Sequence, residues 1–189
     1  MTIVPPRLAS ALVRVPGSIR SRIRIRWLRA LGARIGQHCA VKDVMLPQNP
    51  WDVHMGDHVT LDSQVVLLAT GEKRDRPRIV FGSRIYCNRF TMFDATELIE
   101  VGNDTMIGPG CYITDHDHGT ALGQKMHEQP LVSVPTRIGR DVWLGAHAVV
   151  LKGVTIGDGA IVAACTVVTR DVAAGAIVAG SPVRMLGMR

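Results

Sequence analysis

The sequence predicts an all-β solenoid: a parallel β-helix of six-residue units with a helical arm before it and one extruded loop. Three observations carry this prediction. From Ile138 an aliphatic residue recurs at 138, 144, 150, 156, 162 and 168 without an error. Glycine follows the aliphatic residue again and again, at 36, 56, 82, 102, 108, 139, 145 and 157. The 189 residues include 23 Val and 14 Ile but only eight aromatics, the make-up of a core filled by β-branched side chains rather than rings. A period of six is neither the helical 3.6 nor a plain alternation of two. It divides by two, so a short strand keeps one face inward and each unit can end in a bend. Three units give a triangular turn of about 18 residues, and stacked turns align the inward side chains in ladders.

Residues 1–34 form a basic arm that holds eight arginines (Arg7, Arg14, Arg20, Arg22, Arg24, Arg26, Arg29, Arg34) and no acid. The rest of the chain carries 14 basic and 16 acidic side chains, so the overall charge of +6 comes from the arm. Positions 18–31 fit a helix through Ile19, Ile23, Trp27 and Leu31, with Gly32 as a stop. The Ile/Arg alternation over 19–27 fits a strand as well. The arm is read as a solvated face, as a cap that packs its apolar stripe on the first coil, or as a contact through residues 7–34 with an acidic surface, either anionic lipid or a phosphate-bearing ligand. Nucleic acid is excluded as a partner, because no aromatic stacking stripe accompanies the arginines.

The coil domain is assigned to 35–189. Ile35 and Val41 start the beat, and Met55, Leu61 and Leu67 continue it. Phe81, Cys87, Phe93 and Ile99 follow, then a slip of two leads to Val101, Ile107 and Ile113. The segment 71–78 is a charged excursion. From Ile113 to Ile138 there are 25 residues, one more than four units, and 119–135 lacks the pattern. A loop over about 115–136 is therefore expected to leave the coil, and long loops in compact folds usually carry function. The longest apolar run, 160–168, falls well short of the ~20 residues of a spanning helix. The apolar start Leu8–Val13 is too short for a secretory signal. Four scattered cysteines without a Cys-x-x-Cys pair read as reduced thiols, which implies a cytoplasmic protein.

No Gly-x-Ser-x-Gly elbow, P-loop or Gly-x-Gly-x-x-Gly occurs. The chemistry-bearing string is Thr114, Asp115, His116, Asp117, His118, Gly119, at the mouth of the expected loop. His-x-His with an acid between is two-thirds of a zinc set, but no third ligand lies at an obvious depth, so no metal is expected.

The segments VWLGAHAVVLKGVTIGDGAIV (142–162) and AGSPVRML (179–186) resemble the hexapeptide-repeat acyltransferases, a family of left-handed parallel β-helices. Within it, YITDHDHG (112–119), LGARIG (31–36) and PWDVHMGDHV (50–59) resemble the sugar and surface-polysaccharide O-acetyltransferase branch. The resemblance implies acetyl-CoA as donor, a saccharide hydroxyl as acceptor (small-molecule or lipid-linked), and a homotrimer with sites between subunits. A lipid-linked acceptor would place the protein at the inner face of the membrane. His116 matches the family's catalytic base; an imidazole titrates near neutral pH and suits removal of a proton from a sugar hydroxyl. Asn88 matches a residue that holds the acceptor beside that base, Asp94 falls near an acid that contacts the sugar, and His118 is a second acceptor contact or a structural residue. Trp143, Gly145, Ala146, Ala164, Thr169, Arg170 and Arg184 match positions along the CoA path. Arg170 and Arg184 stand where Lys is commoner, which keeps the charge. Lys152 replaces a common Pro, Ala163 and Cys165 replace glycines, and Gly187 takes the place of an Arg. N-acetylation of a nucleotide-linked amino sugar and an inactive β-helix scaffold are the competing readings.

Overall fold

The computed structural model describes residues 6–45 and 48–189, with side chains from 17 onward in the N-terminal helix. Arg7, Arg14 and the apolar run Leu8–Val13 lie outside the described side chains. Pro6–Ala30 is one α-helix, which decides the helix-or-strand ambiguity of the arm. Its docked face is Ser21, Ile25 and Leu28, all buried. The Ser21 hydroxyl accepts the Val41 N–H at 2.8 Å, and the Arg29 guanidinium donates to the carbonyls of Ile35 and Gly36 at 2.7–3.1 Å. The stop at Gly32 is real: it takes φ +100°, and the Ala33 N–H turns back to the Leu28 carbonyl. The stripe Ile19, Ile23, Trp27 and Leu31 does not pack on the coil as the capping account required; it faces out.

Beyond the helix, short strands visit three parallel sheets in turn. Sheet one holds Arg34–Ile35, Val53–Met55, Ile79–Phe81, Ile99–Val101, Thr136–Ile138 and Thr155–Ile156. Sheet two runs from Ala40–Val41 through Thr60–Leu61, Tyr86–Cys87, Met106–Ile107, Trp143–Leu144 and Ile161–Val162 to Ala176–Ala179 and the closing antiparallel strand Arg184–Met188. Sheet three stacks Val66–Ala69, Met92–Ala95, Tyr112–Thr114, Val149–Val150 and Val167–Val168.

Register turns the six-residue beat into three buried ladders. They are Ile35, Met55, Phe81, Val101, Ile138, Ile156 in sheet one, Val41, Leu61, Cys87, Ile107, Leu144, Val162 in sheet two, and Leu67, Phe93, Ile113, Val150, Val168 in sheet three. The slip at Ile99 has a simple cause. The three-residue strand Ile99–Val101 turns both ends inward, so two aliphatics fall in one unit.

Glycine after the aliphatic residue is required by how closely successive turns stack. A Cβ on Gly145 would lie 2.5 Å from the Ala164 nitrogen. The corner between sheets one and two also needs a left-handed residue two positions after that glycine. His38, His58, Arg84, Asp104 and Asp141 fill it at φ 54–64°.

The excursion 71–78 is pinned by Arg78, which is buried against the buried Asp52 carboxylate and donates to the Thr96 and Glu72 carbonyls. The expected loop leaves the coil as an antiparallel ribbon, His116–His118 against Leu131–Ser133, with a 3-10 turn at Met126–Glu128.

Candidate active site

His116 stands where the chain departs from sheet three. The strand Tyr112–Thr114 ends at a bend on Asp115, and the ribbon begins at His116. Asp115 is fully buried. Its carboxylate accepts the backbone N–H groups of Thr96 (2.9 Å), Glu97 (2.7 Å) and Leu98 (2.6 Å) and the Thr96 hydroxyl (3.2 Å). One of its oxygens also lies 3.0 Å from His116 Nδ1. This carboxylate only accepts, so Nδ1 carries the proton that faces it, and in the neutral ring the lone pair falls on Nε2. The ring is thereby fixed in tautomer and direction by a group that the corner 96–98 holds rigid.

His116 Nε2 points toward Asp94 Oδ1 at 3.9 Å. That is too long for a direct hydrogen bond. A single hydroxyl oxygen placed off the line between them would be about 2.8 Å from both atoms. Asp94 lies beneath Thr114 in register, on the outward face of Met92–Ala95. Its other oxygen accepts the Tyr112 hydroxyl at 3.0 Å. Burial and the Asp94 and Asp115 carboxylates push the Tyr112 phenol up, so it stays a donor. The His116 side chain is 12% exposed.

The structure therefore brings His116 and Asp94 together. His118 is exposed on the ribbon, paired with Leu131, and does not join them. Between the two histidines, Asp117 is clamped by Lys152, whose ammonium also donates to the Val132 carbonyl at 3.2 Å. The Lys that departs from the expected Pro thus ties the ribbon to the next turn of the coil. Asn88 is elsewhere: it follows Tyr86–Cys87 at the corner between sheets two and three, where its side-chain oxygen accepts the Arg89 N–H at 2.8 Å.

The residues matched to the CoA path fall into two groups. Gly145, Ala146 and Ala164 stack at the same corner as Asn88, with Trp143 exposed on the outward face of sheet two beside them. Thr169 and Arg170 lie at the far end of sheet three, two turns along from Thr114 and His116, and Arg170 reaches the Val183 carbonyl next to Arg184 at 3.1 Å. One edge of sheet three carries the imidazole, and the other carries the glycine corners.

Asp115, Tyr112 and Lys152 are the contributors that the sequence left without a role. Asp115 was visible beside His116, but its burial and its three backbone donors depend on a corner 17–19 residues away. Thiol chemistry does not compete in the core, since burial pushes the Cys87 thiol up and that of Cys111 up to about 11. Among the described residues, no three His, Cys, Asp or Glu side chains converge as a metal set.

Residues 135–170 match the sequence profile of the bacterial transferase hexapeptide (six repeats). Over that segment the chain is similar to the hexapeptide-repeat transferases. Among its relatives is an Escherichia coli K12 protein named "Putative lipopolysaccharide biosynthesis O-acetyl transferase WbbJ", 29% identical over 147 residues, covering 74% of this chain and 73% of that protein. The galactoside O-acetyltransferase of the same organism is 30% identical over 112 residues, covering 56% of this chain and 55% of that enzyme. Among solved structures, AntD, an N-acyltransferase from Bacillus cereus in complex with dTDP and 3-hydroxybutyryl-CoA, superposes with a TM-score of 0.73 at 20% identity, covering 87% of each chain.

Proposed function

We propose that the protein is an acetyl-CoA-dependent O-acetyltransferase that acts on a saccharide hydroxyl in surface-polysaccharide assembly, with His116 as general base. The observation that carries this reading is the Asp115–His116 pair, which takes up Nδ1 and turns Nε2 toward Asp94 at 3.9 Å. In the proposed step, the acceptor hydroxyl gives its proton to Nε2 as its oxygen bonds to the thioester carbon. The C–S bond then breaks, and the same imidazole returns the proton to the departing thiolate. A backbone N–H at a glycine-bearing corner would face the oxyanion that develops between the two events. Asp94, held by Tyr112, orients the acceptor, and Asn88 adds a neutral donor and acceptor that does not compete for the proton.

The donor assignment is supported by relatives that are acetyltransferases and by a structural neighbour holding an acyl-CoA. Trp143, Gly145, Ala146, Ala164, Thr169, Arg170 and Arg184 would line its path. Left-handed winding and a homotrimer belong to the same reading. The imidazole edge and the glycine-corner edge lie at opposite ends of the sheet-three strands, so a site using both needs one edge from each of two subunits. Light scattering at micromolar concentration should return three times 20.5 kDa; a monomer mass would contradict the shared site. A cytoplasmic setting accords with four cysteines that are all free.

The fold shared with an N-acyltransferase that holds dTDP favours a second reading, N-acylation of a nucleotide-linked amino sugar. A thiol-release assay with acetyl-CoA against matched hydroxyl and amino sugars separates the two. Turnover confined to the amino sugars would replace the O-acetyl reading.

A further inference from the structure

The N-terminal helix buries one face and leaves another bare. Ile19, Ile23, Trp27 and Leu31 follow one another at intervals of four, and all are 40–62% exposed. The buried Ser21, Ile25 and Leu28 lie on roughly the opposite side, so docking on the coil fixes the apolar stripe outward. At 3.6 residues per turn, Arg22, Arg26 and Arg29 run down one flank of the stripe, Arg20 falls within its arc, and Arg24, paired with Asp43 at 3.5 Å, borders the other side. Arg22, Arg26 and Arg29 also line a groove of about 1150 Å³ with Lys42 and Arg89, and no carboxylate lines it. Asp62 serves Lys42 (3.0 Å) and Arg89 (3.6 Å), and Arg29 is taken by backbone carbonyls. Arg22 and Arg26 have no carboxylate partner among the described residues.

Four large apolar side chains flanked by arginines set two conditions on whatever covers them. The partner must be apolar within and anionic at its surface. A second copy of the same helix meets the first condition but brings arginine against arginine; the first acid in the chain is Asp43. A bilayer surface with anionic headgroups meets both. We propose that the outward face of this helix docks on anionic lipid, with Ile19, Ile23, Trp27 and Leu31 entering the headgroup boundary and Arg22 and Arg26 taking phosphates at the mouth of the groove. Tryptophan suits that depth, with an apolar body and a polar N–H at the interface. The inference rests on the helix alone and stands whether or not His116 is a base.

The test is co-sedimentation of the full-length protein with vesicles of phosphatidylcholine alone or with anionic phosphatidylserine added. Binding is expected only to the anionic vesicles, with release at about 0.5 M salt, where screening is short-ranged. The exposed double variants Ile23→Ser/Trp27→Ser and Arg22→Ser/Arg26→Ser should each weaken binding roughly tenfold or more, with unchanged melting. A blue shift of tryptophan emission on binding should be lost in Trp27→Phe. Absence of binding at low salt, equal binding to neutral vesicles, or indifference to the Ile23/Trp27 pair would overturn the proposal. Displacement by inorganic pyrophosphate at matched ionic strength would do so too, because it would make the groove a site for a soluble phosphate. If the Ile23/Trp27 variant instead dissociates an oligomer in light scattering, the stripe is a subunit contact and the lipid assignment fails.

Discussion

Asp115 Oδ1 lies 3.0 Å from His116 Nδ1, in a carboxylate that three consecutive backbone N–H groups hold from the turn below. The two neighbours in sequence sit on either side of a bend: the acid turns into the coil and the imidazole turns out.

Asp115→Asn keeps the shape but places an amide where only donors point. Turnover should fall by ~10²-fold or more as the ring loses its tautomer control. The fold should lose about 1–3 kcal/mol because one N–H of the corner 96–98 is left unpaired. Thiol-release kinetics read the first effect and denaturant melts the second. Full activity in this variant would show that the carboxylate is only a structural pin.

Tyr112→Phe removes the donor that holds Asp94. One hydrogen bond of ~1 kcal/mol corresponds to about a fivefold change. The acceptor KM should rise by that order, with the acetyl-CoA KM unmoved. A rise confined to the acetyl-CoA KM would take Asp94 away from the acceptor.

The stability of the early coils should depend on pH through Asp62. Burial alone would raise its carboxyl, but the Ser63 N–H, the Lys42 ammonium and the Tyr86 hydroxyl outweigh burial and hold it below the usual carboxylate range. A depressed folded pKa stabilises the fold above the unfolded pKa, and this stability is lost as pH falls through the folded pKa. Asp62→Asn should therefore cost about 1–3 kcal/mol at pH 7. The gap from wild type should close as pH drops below the ordinary range of aspartate. A gap that does not vary with pH would mean that packing, not charge, makes the difference.

Phe93 is fully buried in the sheet-three ladder, edge-on to Phe81 with ring centroids 4.9 Å apart. Phe93→Ala should cost about 3–5 kcal/mol in chemical denaturation, with the cavity left by a ring that β-branched neighbours cannot fill. A loss under 1 kcal/mol would mean that the coil closes around the gap.

The coil was legible because the same position of each six-residue unit is forced inward, and a ladder tolerates no error once neighbouring turns share a register. The glycines could be read for a related reason: Gly145 has another turn's backbone 2.5 Å from where a Cβ would stand. His116 was legible as part of a charged string beside a break in the period. Its partners were not. Whether Asp115 points inward, and whether Asp94 lies beneath the ring, depends on which turn stacks on which, and the slip of two at Ile99 obscured that alignment. The arm misled in a different way. Ile19, Ile23, Trp27 and Leu31 make the more regular stripe, but Ser21, Ile25 and Leu28 do the docking, because Ser21 and Ile25 are what fit against Val41 and the first corner.

Replacing His116 with alanine tests the acyl-transfer account most directly. The side chain lies at the mouth of the ribbon and in no aliphatic ladder, so folding should persist. Thiol release from acetyl-CoA in the presence of a saccharide acceptor should drop by ~10²–10⁴-fold, with the melting temperature and CoA binding preserved. Turnover near that of the wild type, or a loss that appears in His118→Ala instead, would contradict it.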